Sequence, residues 1–205
     1  MRFESLNSVA VLTFEPETGY PRLTRRVLGE IGDILQAVQR ERIFQGVVFA
    51  SNAESFATGA ELEEIAHLEG VEARQFALRG QALTSRIEGF PLTVVAAIRG
   101  YCLGGGLDLA LACHARVATY DATFSHPGAS LGLLTGWGGP ARLPRLIGKA
   151  QALQIFLTGD RIPATQALTM GLVDELAASQ DLIDAAVRRA ERQHIHGRNR
   201  SAWQG

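Results

Sequence analysis

Residues 101–114 read YCLGGGLDLALACH: three consecutive glycines lie between two apolar stretches, and a single acid, Asp108, follows two positions after the last of them. Glycine costs about 1 kcal/mol relative to alanine inside a helix, so this run needs a reason. A strand that ends and a helix that begins across the glycines supply one. Their backbone N–H groups can then meet a ligand with no side chain in the way, and the helix N-terminus adds about half a positive charge. Two kinds of ligand use such a corner: phosphates, and the oxyanion that develops on a carbonyl. GGGLDLA is neither GxGxxG nor GxxxxGK[ST], which leaves the carbonyl as the better match.

Around this corner the sequence alternates. Ser8–Phe14 and Gly46–Ala50 are short β-branched or aromatic runs, and between them Val27, Ile31, Ile34, Leu35 and Val38 have helical spacing. A helix over 72–87 leads into Leu92–Ile98, whose unbroken apolar character suits a strand buried on both faces. A helix over 105–113 and a strand over 115–118 follow the glycines. Further helices are expected over 140–146, 150–157 and 164–170, the last ended by Gly171 before a strand over 172–176. This order predicts an α/β fold with mostly parallel strands and, at 205 residues, a single domain.

Hydrophobic residues make up 46% of the chain and charged residues 20%, the composition of a globular protein rather than a disordered one. Lys and Arg total 20 against 21 Asp and Glu, so net charge gives no support for a nucleic-acid or anionic-membrane surface. The apolar window Leu92–Cys113 carries Arg99 and Asp108, which are costly at a bilayer centre, and the N-terminus does not resemble a signal peptide. A cytoplasmic location is the expectation. Cys102 and Cys113 have no CxxC or zinc-like spacing, and His67, His114, His194 and His196 have no carboxylate or cysteine framework, so no metal is expected.

A second glycine corner, Thr58-Gly59-Ala60 within SFATGAELEEI, lies between a strand ending near Ala50 and a helix starting near Glu61. Two such turns can each donate one N–H to the same oxygen. Here the sequence resembles the crotonase superfamily, the enoyl-CoA hydratases and isomerases. SFATGAELEEI resembles that family's first oxyanion loop, and PLTVVAAIRGYCLGGGLDLALACHARVA its second with the preceding strand. FSHPGASLGLLTGWGGPARLPRLIGKAQALQIFLTGDRIPATQALTMGLVDEL resembles its later core. The resemblance spans residues 9–176 and implies a fold of repeated strand-strand-helix units with mostly parallel sheets. It implies a core over 1–178 and a shortened C-terminal helix and polar tail over 179–205.

It also implies an acyl-CoA thioester as substrate, with coenzyme A part of that substrate and no separate cofactor, and assembly as a homotrimer or homohexamer. The N–H groups of Ala60 and Gly105 would hold the thioester oxygen, each worth ~2.7–4 kcal/mol, with Thr58, Gly59, Gly104, Gly128 and Trp137 lining the site. Asp108 falls where the family places one catalytic glutamate; it is either the acid/base or a helix-terminus acid worth about 0.3–1 kcal/mol. The hydratases' second glutamate is replaced by Gly128. His126, two positions earlier and on the same side of an extended segment, either takes over proton transfer or is a hydrogen-bonded loop residue. Trp137 either narrows the acyl pocket or packs the core, and Arg22, Arg25 and Arg26 either reach coenzyme A phosphates or form a solvated face. The function expected is enoyl-CoA hydration or isomerisation. A hydrolase of the same fold using His126, and a non-catalytic acyl-CoA-binding or assembly protein, are the alternatives.

Overall fold

The computed structural model describes residues 1–192; the polar tail expected beyond them, with His194 and His196, lies outside the described residues. The chain starts with a hairpin, β1 (Arg2–Leu6) and β2 (Val9–Phe14), turned through Asn7 at φ 54°. Asparagine tolerates that left-handed conformation. Helix α1 (Arg25–Glu41) is capped by the Thr24 hydroxyl, which accepts from Val27 N, and buries Leu28, Ile31, Leu35 and Val38 at helical spacing. Then come β3 (Gly46–Ser51), the short α2 (Leu62–Ala66), α3 (Gly70–Glu88), β4 (Thr93–Ile98), β5 (Tyr101–Leu103) and α4 (Gly105–Ala112). The remainder is β6 (Ala115–Thr119), β7 (Thr123–Ser125), α5 (Gly139–Ile147), α6 (Lys149–Thr158), β8 (Ile162–Pro163), α7 (Ala164–Thr169), β9 (Glu175–Ala177) and α8 (Leu182–Glu191).

The main sheet runs β1-β2-β3-β4-β6-β9, parallel throughout except for the β1–β2 hairpin. Every residue of β2, β3, β4 and β6 is buried, as expected for strands covered on both faces. The period-2 alternation sorts their side chains. Leu12, Phe49, Val94 and Ile98 join the core under α1, α3 and α4, whereas Val11, Val48, Val95 and Val117 face Leu182, Ala186 and Ala190 of α8. A smaller sheet, β5-β7-β8, adds Cys102, Phe124 and Ile162 to the first core.

Two expectations are corrected. The strand β1 is absent from the sequence reading because RFESL is a half-exposed edge strand without an apolar run. The strand expected over 172–176 begins only at Glu175, because Leu172 N and Val173 N both donate to Ala167 O and close α7 first.

This topology places the site. Strands β3 and β4 are parallel neighbours, so the loops after both emerge at the same edge of the sheet, where open α/β sheets bind ligands. At the far end of α4, Arg116, buried on β6, donates to the carbonyls of Cys113 (2.9 Å) and Leu172 (2.7 Å) and pairs with Asp174 at 3.0 Å. Asp174 also meets Arg189 of α8 at 3.5 Å, so one cation ties α4 to both neighbouring segments. Arg116→Met leaves the Cys113 and Leu172 carbonyls without their donor, while Asp174 keeps Arg189 and the residue 116 backbone N–H, and is expected to cost roughly 1–3 kcal/mol for each carbonyl left unpaired. The expected result is a lower urea midpoint at unchanged m-value; an unchanged midpoint would show that the network carries no net stability.

Candidate functional site

The two glycine corners meet. Ala57 bridges Cys102 in parallel fashion, Leu103 N donates to Ala57 O at 3.0 Å, and Phe56 N donates to Arg99 O at 2.9 Å, so the loop after β3 is stitched along β5. Gly59, at φ 92°, lies against the start of α4: a Cβ there would sit 2.9 Å from Gly105 N. Among the described residues, neither Ala60 N nor Gly105 N donates to an acceptor. The helix begins one bond later, with Asp108 N on Gly104 O.

The glycine run turns out to serve three different ends. Gly104 has φ 51° and ψ −121°, a conformation closed to L side chains, and only open space beside it. Gly106 instead abuts the first loop, since a Cβ would lie 2.3 Å from Ala57 O, and one on Gly105 would lie 2.6 Å from the Trp137 ring. Clearance for a ligand, the reason read from the sequence, therefore fits Gly104 alone; close packing within the protein dictates the other two.

A cavity of about 360 Å³ opens over this junction. Thr58, Gly59, Ala60, Gly104 and Gly105 form one wall, and Phe76, Leu133, Trp137 and Phe156 make most of the rest apolar. Gly128, His126 and Thr135 also reach the cavity. Leu131 and Leu134, 55% and 68% exposed, form an apolar rim.

Asp108 is completely buried and does not line the cavity. Its Oδ2 accepts from the Thr135 hydroxyl and from Trp137 N at 3.1 Å, so the acid holds the 135–137 segment that forms the cavity wall. Its Oδ1 faces His126 Nε2 at 3.5 Å. Among the described residues, Oδ1 and both imidazole nitrogens have no hydrogen-bond partner. Burial pushes the Asp108 carboxyl up from its ordinary 3.8 to about 6, opposed by the bonds from Thr135 and Trp137. Burial also pushes the His126 imidazole down from 6.5 to about 4. Near neutral pH the pair is therefore a carboxylate facing a neutral imidazole.

The extended arrangement expected around His126 is corrected. Pro127 opens a 3-10 turn over Pro127–Leu131, and Leu133 N closes back on Gly128 O at 2.8 Å. His126 and Gly128 thus line the same cavity through a turn, not an alternating strand. A Cβ on Gly128 would sit 2.7 Å from Leu133 O, so the family's glutamate has no room there unless residues 131–134 move.

Trp137 packs in the core, 3% exposed and on Phe76 at a ring-centroid separation of 5.3 Å, and an edge of it also lines the cavity. Arg22, Arg25 and Arg26 are engaged with Glu61 (3.1 Å), Glu64 (2.7 Å) and Glu30 (2.7 Å) on the surface. Cys102 and Cys113 are buried free thiols; burial raises both, Cys113 to about 12, which keeps them protonated and inert. Thr135 is the polar group whose role sequence reasoning missed, because its partner Asp108 is distant in sequence and no spacing rule links them. Among the described residues no helix is long and apolar enough to cross a membrane.

The family described as enoyl-CoA hydratase/isomerase matches residues 4–202. Among solved structures, an enoyl-CoA hydratase from Bacillus anthracis is 31% identical at a TM-score of 0.87, covering 93% of this chain and 74% of that one. DspI from Pseudomonas aeruginosa is 30% identical at 0.87, covering 92% and 78%. An enoyl-CoA hydratase/isomerase from Xanthobacter autotrophicus Py2 is 30% identical at 0.86, covering 93% and 71%.

The buried pair has a signature in stability. As pH falls from about 6 toward 4, Asp108 takes up a proton in the folded protein before the unfolded chain does, which adds stability. Over 6.5 to 4, His126 stays neutral while the unfolded imidazole protonates, which removes it. Asp108→Asn keeps an acceptor for Thr135 and Trp137 but abolishes the first effect. Its unfolding free energy is expected to fall by about 2 kcal/mol more than the native protein's between pH 6.5 and 4, in urea titrations at a series of pH values. Parallel pH profiles for the two proteins would refute the coupling.

Proposed function

The chain belongs to the enoyl-CoA hydratase/isomerase family, and from that premise we propose that it binds an acyl-CoA thioester and stabilises its enolate between the N–H groups of Ala60 and Gly105. The observation that carries this reading is the meeting of those two amides, without protein acceptors, at the wall of an apolar cavity. Donors fixed before charge develops need no reorganisation during reaction, and the low-dielectric wall strengthens them. The positive end of α4 points the same way.

His126 is the proton carrier in this proposal, and Asp108 acts from behind it. The imidazole reaches the cavity in its neutral form, the form that accepts a proton from a substrate carbon or from water; burial disfavours the imidazolium, and the carboxylate 3.5 Å away offsets that by balancing the charge it acquires. In isomerisation the imidazole returns that proton to a different carbon of the enolate. In hydration it takes a proton from the water whose hydroxyl adds at the β-carbon, and gives that proton to the α-carbon as the enolate collapses. A second reading, hydrolysis of the thioester by water deprotonated at His126, is favoured by the same carboxylate–imidazole pair at a cavity without room for a glutamate at 128.

A single assay separates these outcomes. Crotonyl-CoA loses its conjugated thioester absorbance on hydration, a 3-enoyl-CoA gains it on isomerisation, and either releases a free thiol on hydrolysis. His126→Asn is expected to lower whichever rate is observed by roughly 10²–10⁴, and Asp108→Asn to lower it with little change in affinity. If both thioesters bind yet none of the three signals appears, the protein is a binder and the catalytic reading is withdrawn.

A further inference from the structure

Gly80, like Gly29 and Gly32 of α1, is explained by no turn, but it alone of the three has a close neighbour. Gly80 lies in the middle of α3, has no left-handed φ, and costs about 1 kcal/mol there relative to alanine. Its neighbour accounts for it: a Cβ at Gly80 would lie 2.1 Å from Trp137 Cδ1 and 2.2 Å from Nε1. The far side of the same indole, Cζ3 and Cε3, rests on Gly105. The ring is therefore wedged between α3 and the start of α4, and both helices give up a side chain to seat it.

The wedge is rigid. Trp137 N donates to Asp108, and Trp137 O accepts from the Thr84 hydroxyl at 2.8 Å and from Arg142 at 3.2 Å. Gln81 Nε2 holds the preceding carbonyl, Gly136 O, at 2.7 Å. The ring also borders Gly105, so an acyl group whose carbonyl oxygen sits on Gly105 N meets the indole with its first carbons. Leu62, Ile65, Phe76 and Phe156 bound the cavity elsewhere, and the exposed Leu131–Leu134 rim borders its open side. At about 360 Å³ the space lies near the small end of the ~300–1,000 Å³ typical of ligand pockets.

We propose that Trp137, seated on Gly80, is the depth stop of the acyl-binding end of the cavity and selects short acyl groups over long ones. The proposal rests on the acyl-CoA reading above. Removing the indole joins the cavity to the space beside Gly80 and Thr84; adding a Cβ at Gly80 drives the ring toward the substrate.

The test is equilibrium binding of saturated straight-chain acyl-CoA thioesters from two to twelve carbons, which need not turn over, to the native protein and to Trp137→Ala, Trp137→Phe and Gly80→Ala. Each methylene buried from water is worth about fourfold in affinity, so affinity should climb with length and then break where the chain meets the ring. The break is expected to move several carbons longer in Trp137→Ala, a shorter distance in Trp137→Phe, and to shorter chains in Gly80→Ala. Trp137→Phe keeps an aromatic wall, so its shift decides the matter even where the alanine variant fails to fold. A break at the same length in the native protein and Trp137→Phe, with binding intact, overturns the depth stop alone. Absence of binding by the native protein at every length overturns the acyl-CoA reading and the depth stop with it.

Discussion

The approach of Gly106 to the carbonyl oxygen of Ala57 is the constraint on which the site depends. A Cβ on residue 106 would lie 2.3 Å from that oxygen, so the first turn of α4 can lie against the loop after β3 only without a side chain there. The same oxygen accepts Leu103 N, which extends strand pairing along β5 up to the helix start. Parallel pairing of β3 with β4 brings the two loops to one edge; these short-range contacts then bring two amides to one wall. The site is thus made of main chain positioned by main chain, which is why glycines mark it.

Asp108 shows how a residue type can be legible while its work is not. An acid in the first turn of a helix is favourable for its charge alone, and in the sequence its place in the family pattern reads as that of an acid/base. In the fold its carboxylate is turned away from the cavity, and it pins Thr135 and Trp137, which do face the cavity. Burying that charge is unfavourable, as its raised pKa records. The fold keeps it bound on one oxygen and opposite an imidazole on the other. One group therefore links the shape of the cavity wall to the surroundings of the only histidine lining the cavity among the described residues.

Glycine 128 illustrates the opposite relation. Its lack of a side chain reads as a missing acid, yet residues 131–134 have closed over the position, and the backbone bond from Leu133 N fixes them there. The glycine at 128 and the course of the following loop belong together, because the return of Leu133 leaves no space for a Cβ there.

The sequence by itself determined the α/β class, the order of the long elements, the two glycine corners and their family, because these rest on local periodicity, turn chemistry and motif order. It also marked Asp108, His126 and Trp137 as the residues to watch. Tertiary structure alone decided what faces what: that Asp108 lies behind the wall, that Gly105 and Gly80 are small for the sake of one indole, and that Thr135 completes the buried carboxylate's contacts. The physical reason is common to all of them. Hydrogen bonds and van der Waals contacts between residues 25 to 60 positions apart leave no periodic trace along the chain, so they become readable only once the sheet has brought their partners together.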